Sequence, residues 1–136
     1  MSLRVLIADD HAAVRQALVR SLEQEADIEV VGQAEDGCSA VDMAGQLNPD
    51  VVVMDITMPR LDGIGATRQI TDQFPGVKVV GLSVHGSRPY VNKMMAAGAK
   101  GYVLKDDELE ELVKALRTVS DGGQYISASV GDGHPH

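Results

Sequence analysis

The sequence has few aromatic residues. Phe, Tyr and Trp together make up 3% of its 136 residues, and tryptophan is absent. A core without large rings has to be built from aliphatic side chains, Met and Ala, and the hydrophobic residues account for 44% of the chain. This length and composition are typical of one globular domain with a single core.

Cysteine and long apolar runs are also scarce. Cys38 is the only cysteine, which excludes an internal disulfide and favours a reducing compartment. The apolar run at residues 3–8 is too short for a signal peptide, and no run approaches the length of a membrane span. The sequence therefore predicts a soluble, cytoplasmic protein with no membrane partner.

Positive charge is the third shortage. Lys and Arg number 12 against 20 Asp and Glu, and the formal net charge is −8. A protein that grips a phosphate backbone needs a basic face. We therefore expect no nucleic-acid binding by this chain alone, which leaves open DNA binding by a neighbouring domain.

Short apolar runs rich in β-branched residues alternate with segments of helical periodicity. The predicted strands are residues 3–8, 28–34, 51–54, 77–82 and 102–104. Apolar residues at helical spacing lie between and after them, as at Leu109, Leu112, Val113 and Leu116. Nearly continuous apolar strands suit a parallel sheet covered on both faces. The alternation predicts an α/β doubly wound sheet with right-handed crossovers.

Polar residues and glycines mark the boundaries of these segments. Asp62 suits a helix N-cap, and Asp107 with Glu110 resembles a capping box at the start of the last helix. Asp121-Gly122-Gly123 is expected to end that helix. We predict a domain at residues 1–120, followed by a C-terminal tail or truncated linker at residues 121–136.

Charged and hydroxyl side chains follow four of the predicted strands. These residues are Asp9 and Asp10 after the first strand, Asp55 after the third, Ser83 after the fourth and Lys105 after the fifth. Ligands of open parallel sheets bind beyond the carboxyl ends of the strands, where the strand order reverses. We therefore expect these five side chains to converge on one rim.

Three carboxylates close together repel one another, and a divalent cation would relieve that repulsion. Mg²⁺ prefers oxygen ligands and is often held by one or two carboxylates plus a phosphate. Lys105 supplies a further positive charge and Ser83 a hydrogen-bond donor. The set predicts that Asp55 attacks phosphorus and becomes an acyl phosphate, with Mg²⁺ or Mn²⁺ as the cofactor.

Over about residues 3–120 the chain resembles the receiver domains of two-component response regulators. The matching pieces are Ala8-Asp9-Asp10-His11, residues 49–59 around Asp55, Asp62-Gly63, Leu82-Ser83 and residues 101–106. His11, Asp106 in place of Pro after Lys105, and Gly123-Gln124-Tyr125-Ile126 are similar to the subfamily with a LuxR-type helix-turn-helix output domain. The resemblance implies a flavodoxin-like, five-stranded parallel sheet of order 2-1-3-4-5.

The resemblance also implies roles for individual residues. Asp55 would be the phosphoacceptor, with Ser83 and Lys105 holding the phosphoryl group. Asp10, Asp55 and the carbonyl of Thr57 would contact the metal, with Asp9 acting through water. Ser83 and Tyr102 would form a switch, in which Tyr102 turns inward as Ser83 moves to the phosphate. Thr57 and His85 would set the rate of dephosphorylation.

The implied partners are a sensor histidine kinase and, on phosphorylation, a second copy of the chain. The output would be transcription control through a DNA-binding domain absent from this chain. In this interpretation the chain is not an enzyme, although it catalyses its own phosphorylation and dephosphorylation.

Other readings of the same residues remain open. Asp9 and Asp10 also suit helix N-caps, and Tyr102 suits plain packing. The chain could be an interaction module that no longer responds to phosphate. A haloacid-dehalogenase-like hydrolase would need a second Asp where Thr57 stands. A flavin-mononucleotide binder would need Ser, Thr and Gly in place of Asp9 and Asp10.

Overall fold

The computed structural model describes residues 2–130. Within them the strands are β1 (Leu3–Ala8), β2 (Ile28–Ala34), β3 (Val51–Asp55), β4 (Lys78–Ser83), β5 (Gly101–Leu104) and β6 (Tyr125–Ile126). The helices are α1 (Ala12–Leu22), α2 (Gly37–Leu47), α3 (Gly63–Gln73), α4 (Arg88–Ala96) and α5 (Leu109–Ser120). The predicted alternation of strands and helices is confirmed.

All strands run parallel in one sheet of order β2-β1-β3-β4-β5-β6. The predicted order 2-1-3-4-5 is confirmed, and β6 adds a sixth strand at the edge beside β5. Two residues are too few to show the alternation that marks a strand in sequence. Tyr102 pairs with Ile126, and the Tyr125 hydroxyl donates a hydrogen bond to the Glu111 carboxylate.

Successive side chains of the central strands point to opposite faces, and both faces are buried. Leu6 and Met54 join a cluster with residues of α2, α3 and α4. Val5 and Val53 join a second cluster with residues of α1 and α5. Two covered faces explain why these strands read as continuous apolar runs.

The expected helix caps are partly confirmed. The Asp62 carboxylate accepts a hydrogen bond from the Gly65 N–H at 2.8 Å and caps α3. The prediction of a capping box at Asp107 is wrong, because α5 begins at Leu109 and its N-cap residue is Glu108. The Asp107 carboxylate instead accepts bonds from the Leu104 N–H at 2.9 Å and the Ser129 hydroxyl at 2.7 Å.

The segment after α5 returns to the sheet. The Ser127 N–H donates to the Tyr102 carbonyl at 2.9 Å, and Val130 packs against the cluster on the α2–α4 face. The domain boundary at residue 120 stays a prediction, and residues 131–136 of the predicted tail lie outside the described residues. No helix within residues 2–130 has the length and apolar character needed to cross a bilayer.

Candidate functional site

The sequence predicted that side chains at the carboxyl ends of the strands would meet, and several of them do. Asp9 directly follows β1, Asp55 ends β3, and Lys105 directly follows β5. Strand β1 lies between β2 and β3, so this rim includes the point where the strand order reverses. Asp9 and Asp55 are buried, with 1% and 3% of their surface exposed.

The Lys105 ammonium bridges the two buried carboxylates. Its Nζ lies 3.0 Å from Asp9 Oδ2 and 3.4 Å from Asp55 Oδ2. The contacts are ion pairs rather than well-directed hydrogen bonds, because neither Oδ2 atom meets hydrogen-bond geometry with any described residue. Both oxygens therefore keep acceptor capacity inside the protein.

This environment changes the protonation behaviour of Asp55. Burial raises the pKa of Asp55 from 3.8 to about 6, and the negative charge of Asp9 acts in the same direction. Lys105 and the Thr57 N–H oppose the shift without cancelling it. Burial acts to lower the pKa of Lys105, but its contacts with Asp9 and Asp55 outweigh burial and raise it.

The site has donors for a divalent cation. One ligand atom from each of Asp9, Asp10, His11 and Asp55 lies within 4.8 Å of the others. Three carboxylates face a single ammonium, so a cation of charge two would balance the site. Within residues 2–130 the two buried oxygens lack hydrogen-bond donors, and the ligand set is rich in oxygen, so the site fits a hard cation such as Mg²⁺.

Two details of this donor set differ from expectation. His11 was predicted only as a family marker, and its position directly after the acid pair was the available signal. Thr57 was expected to contribute its carbonyl. The contact observed is its N–H, which donates to Asp55 Oδ1 at 3.3 Å, so the carbonyl ligand stays a prediction.

The start of α1 resolves one of the open readings. The N-cap residue is His11, rather than Asp9 or Asp10, and its side chain makes no capping hydrogen bond. Asp9 Oδ1 accepts the His11 N–H at 2.8 Å just ahead of the helix. One oxygen of Asp9 thus orders the chain entering α1, while the other faces Lys105.

The comparison with known proteins agrees with the observed fold and site. Residues 5–117 match the response regulator receiver domain family. The chain belongs to this family. The receiver is 41% identical over 128 residues to the transcriptional regulatory protein DegU of Brevibacillus brevis, covering 94% of this chain and 54% of that protein. It is 41% identical to the response regulator GacA of Pseudomonas aeruginosa, covering 94% of this chain and 60% of GacA.

The receiver thus spans just over half the length of these curated relatives. Its structure is similar to that of a LuxR-family two-component response regulator from Aurantimonas sp. SI85-9A1, with a TM-score of 0.92 and 32% identity. That match covers 96% of this chain and 93% of the other. The receiver of RcsB from Salmonella enterica serovar Typhimurium, determined with the phosphomimetic BeF₃⁻, has a TM-score of 0.86 and 29% identity, with 96% of each chain covered. The resemblance to LuxR-type regulators is confirmed.

A chain of contacts in the receiver joins the predicted switch residues. Ser83 Oγ accepts the His85 N–H at 2.9 Å, and the Tyr102 hydroxyl donates to the His85 carbonyl at 2.6 Å. Tyr102 is fully buried and already turned inward, and burial raises its pKa. The His85 ring stacks on Tyr90, with ring centroids 4.2 Å apart. The backbone of His85 therefore lies between Ser83 and Tyr102.

Proposed function

We propose that this receiver is a phosphorylatable signalling switch in which Asp55 accepts a phosphoryl group from a phosphohistidine of a sensor histidine kinase. The observation that carries the proposal is the pair of buried carboxylates, Asp9 and Asp55, with the Nζ of the partly exposed Lys105 within 3.4 Å of both. These residues come from three strand ends that are far apart in sequence. Family membership supports the same assignment.

In the proposed step, an oxygen of the Asp55 carboxylate attacks phosphorus. A P–O bond forms as the P–N bond to the donor imidazole breaks, and the departing nitrogen keeps the electron pair and takes a proton from water. The nucleophile has to be ionised. With a pKa of about 6, Asp55 is ionised about ten to one at pH 7. The product is a mixed carboxylic–phosphoric anhydride on Asp55.

Lys105 is placed to receive the charge of the transferred group. Its ammonium lies 3.4 Å from Asp55 Oδ2, and 16% of its side chain is exposed. A positioned ammonium in a water-poor site stabilises charge on phosphoryl oxygens without reorganisation. Its contact with Asp9 holds the ammonium at the rim before a phosphoryl group arrives.

We assign the divalent cation to Asp9, Asp10, Asp55 and the carbonyl of Thr57, with Mg²⁺ or Mn²⁺ as the ion. When bound, such an ion supplies charge neutralisation for the phosphoryl oxygens. The carboxylates fit it because three of them face one ammonium. The buried Oδ2 atoms of Asp9 and Asp55 also have acceptor capacity to spare.

Phosphorylation would be transmitted through Ser83. Its hydroxyl can donate to a phosphoryl oxygen, and moving toward that oxygen would strain its bond with the His85 N–H. His85 is also the acceptor for Tyr102, so the three residues would move together. Thr57 and His85, at the rim, would set the lifetime of the phosphoryl group by controlling access of water.

The proposed output is a changed surface that alters partner or homodimer contacts, with transcription control exerted by a separate DNA-binding domain. The relatives DegU and GacA are longer than this chain, and DegU is named as a transcriptional regulatory protein. A net charge of −8 argues that DNA contacts lie outside this chain. We infer that the receiver acts in the cytoplasm, where kinase and DNA are both accessible.

The test is to incubate the receiver with acetyl phosphate and Mg²⁺ and to measure the intact mass. The expected result is the gain of one phosphoryl group that is labile in acid and in base, as an acyl phosphate is, and that is lost in Asp55→Asn and in excess chelator. Asp42→Asn is the matched control, since it makes the same change at an exposed position of α2. If the folded receiver gains no mass, or Asp55→Asn gains as much, the chain is better explained as an interaction module.

A further inference from the structure

We propose that His11 is a ligand of the cation at this site, and that its nitrogen makes the receiver prefer transition-metal cations such as Mn²⁺ and Co²⁺ over Mg²⁺. The inference rests on the metal site of the proposed function and adds a residue and a selectivity to it. His11 Nδ1 lies 3.1 Å from Asp10 Oδ1 and 3.3 Å from Asp9 Oδ1. His11 also belongs to the four-residue donor set.

These distances match the edge of a coordination octahedron. Ligand atoms about 2.1 Å from an octahedral cation lie about 3.0 Å from their neighbours and about 4.2 Å from the atom opposite. The two His11 distances are close to that edge. The full set spans 4.8 Å and has to contract by only about 0.6 Å across its widest pair. A nitrogen already at a neighbouring position needs little movement to bind.

The backbone of His11 is fixed, whereas among the described residues its ring is held only by the contacts of Nδ1 with the two carboxylates. Its N–H donates to Asp9 Oδ1 at 2.8 Å, and its carbonyl accepts the Arg15 N–H at 2.9 Å. The backbone is therefore fixed at the start of α1. The side chain is 65% exposed, so packing does not prevent the ring from turning toward a cation.

A second observation, the lack of hydrogen-bond partners in the described part of the chain for two buried oxygens of the cluster, also points to a ligand. Asp9 Oδ2 and Asp55 Oδ2 are buried and lack a hydrogen bond from any described residue. Buried acceptors of this kind cost free energy unless something satisfies them. Lys105 provides one positive charge for three carboxylates, which leaves two negative charges uncompensated. A divalent cation would balance them.

The nitrogen donor determines the selectivity. Mg²⁺ strongly prefers oxygen, whereas a nitrogen ligand favours the transition metals, with affinity that is lowest for Mn²⁺ and rises through Co²⁺ to Ni²⁺ in the Irving–Williams order. If His11 only hydrogen-bonded to the carboxylates, it would influence every cation by a similar factor. A contribution that depends on the metal therefore distinguishes direct ligation from an indirect role.

The experiment measures Kd by calorimetry for Mg²⁺, Mn²⁺ and Co²⁺, using the full chain with His134 and His136 replaced by Ala so that the tail histidines cannot compete. The variants are His11→Ala and His11→Asn. Asn is a good N-cap residue that lacks the imidazole nitrogen, so it guards against loss of helix structure. The visible absorption spectrum of bound Co²⁺ gives a second readout, because it reports the ligand atoms directly.

The expected result is a Kd for Co²⁺ that rises about tenfold or more in both variants, a smaller rise for Mn²⁺, and less than about a twofold change for Mg²⁺. The Co²⁺ spectrum should shift as nitrogen is lost. Equal changes for all three cations, or an unshifted spectrum, would overturn the role of His11 while leaving phosphorylation of Asp55 intact. Failure of the unsubstituted receiver to bind any of these cations would count against the proposed function as well.

Discussion

The hydroxyl of Tyr102 donates a 2.6 Å hydrogen bond to the backbone carbonyl of His85. The ring is fully buried, and its hydroxyl is the part that reaches the loop after β4. Plain packing would account for the ring but not for this bond. The contact ties the centre of β5 to the residue whose N–H is bonded to Ser83.

Tyr102→Phe is expected to lower the free energy of unfolding by about 1–2 kcal/mol, because the shape is kept while the His85 carbonyl loses its donor. Urea unfolding followed by circular dichroism measures the change. Tyr90→Phe makes the same chemical change on a ring that is 36% exposed, and should cost less than about 0.5 kcal/mol. Equal costs for the two variants would mean that the buried bond contributes nothing specific.

Asp55→Asn should stabilise the metal-free receiver at neutral pH. The folded state raises the pKa of Asp55 from 3.8 to about 6, so folding binds a proton that the unfolded chain releases. The stability associated with that proton is fully present below about pH 4 and is lost as the pH rises through 6. Removing the charge at pH 7 should therefore add about 1–3 kcal/mol.

The measurement is urea unfolding in chelator at pH 5 and pH 7.5, with Asp42→Asn as the exposed control. The gain from Asp55→Asn should be larger at the higher pH and should shrink when Mg²⁺ is added. If Asp55→Asn is less stable than the unsubstituted receiver at pH 7.5 in chelator, the negative charge of Asp55 does not destabilise the folded state.

Lys105→Met should destabilise the metal-free receiver by about 3 kcal/mol at neutral pH, since it leaves Asp9 and Asp55 without their shared counter-charge. Lys114→Met, at an exposed position of α5, is the matched control and should change little. Adding Mg²⁺ should restore part of the loss in Lys105→Met. Comparable losses at both lysines would argue against the ion pairs.

The titration of the Tyr125 hydroxyl reports whether β6 is packed against α5. The hydrogen bond to Glu111 raises the pKa of Tyr125 to about 12, from a normal value of 10.0. In carbon-13 NMR of labelled tyrosine, the Tyr125 signal should titrate last or next to last among the three tyrosines. In Glu111→Gln the midpoint should fall toward 10.0, whereas Glu110→Gln, on the same helix, should leave it in place. An unperturbed midpoint in the unsubstituted receiver would mean that the contact is absent.

Much of the fold was predictable because its signals are local. Apolar runs, helical periodicity and the Asp62 cap are each written in a few neighbouring residues, and the structure confirms them. The Asp107 capping box failed because a contact with Ser129 and the Leu104 backbone competes for the same carboxylate. Strand β6 was missed because its stability comes from pairing with β5, which lies more than 20 residues earlier.

By itself the sequence determined which residues stand at the rim. A polar residue at the end of a parallel strand is brought to that edge by the connectivity alone, so the placement of Asp9, Asp55 and Lys105 followed from their spacing. Only the tertiary structure decided how they meet. Lys105 lies between two buried carboxylates, Tyr102 is hydrogen-bonded to the His85 carbonyl, and His11 turns its nitrogen toward the acid pair. These contacts depend on side-chain rotamers and on distances across the sheet. Packing between distant segments of the chain sets both.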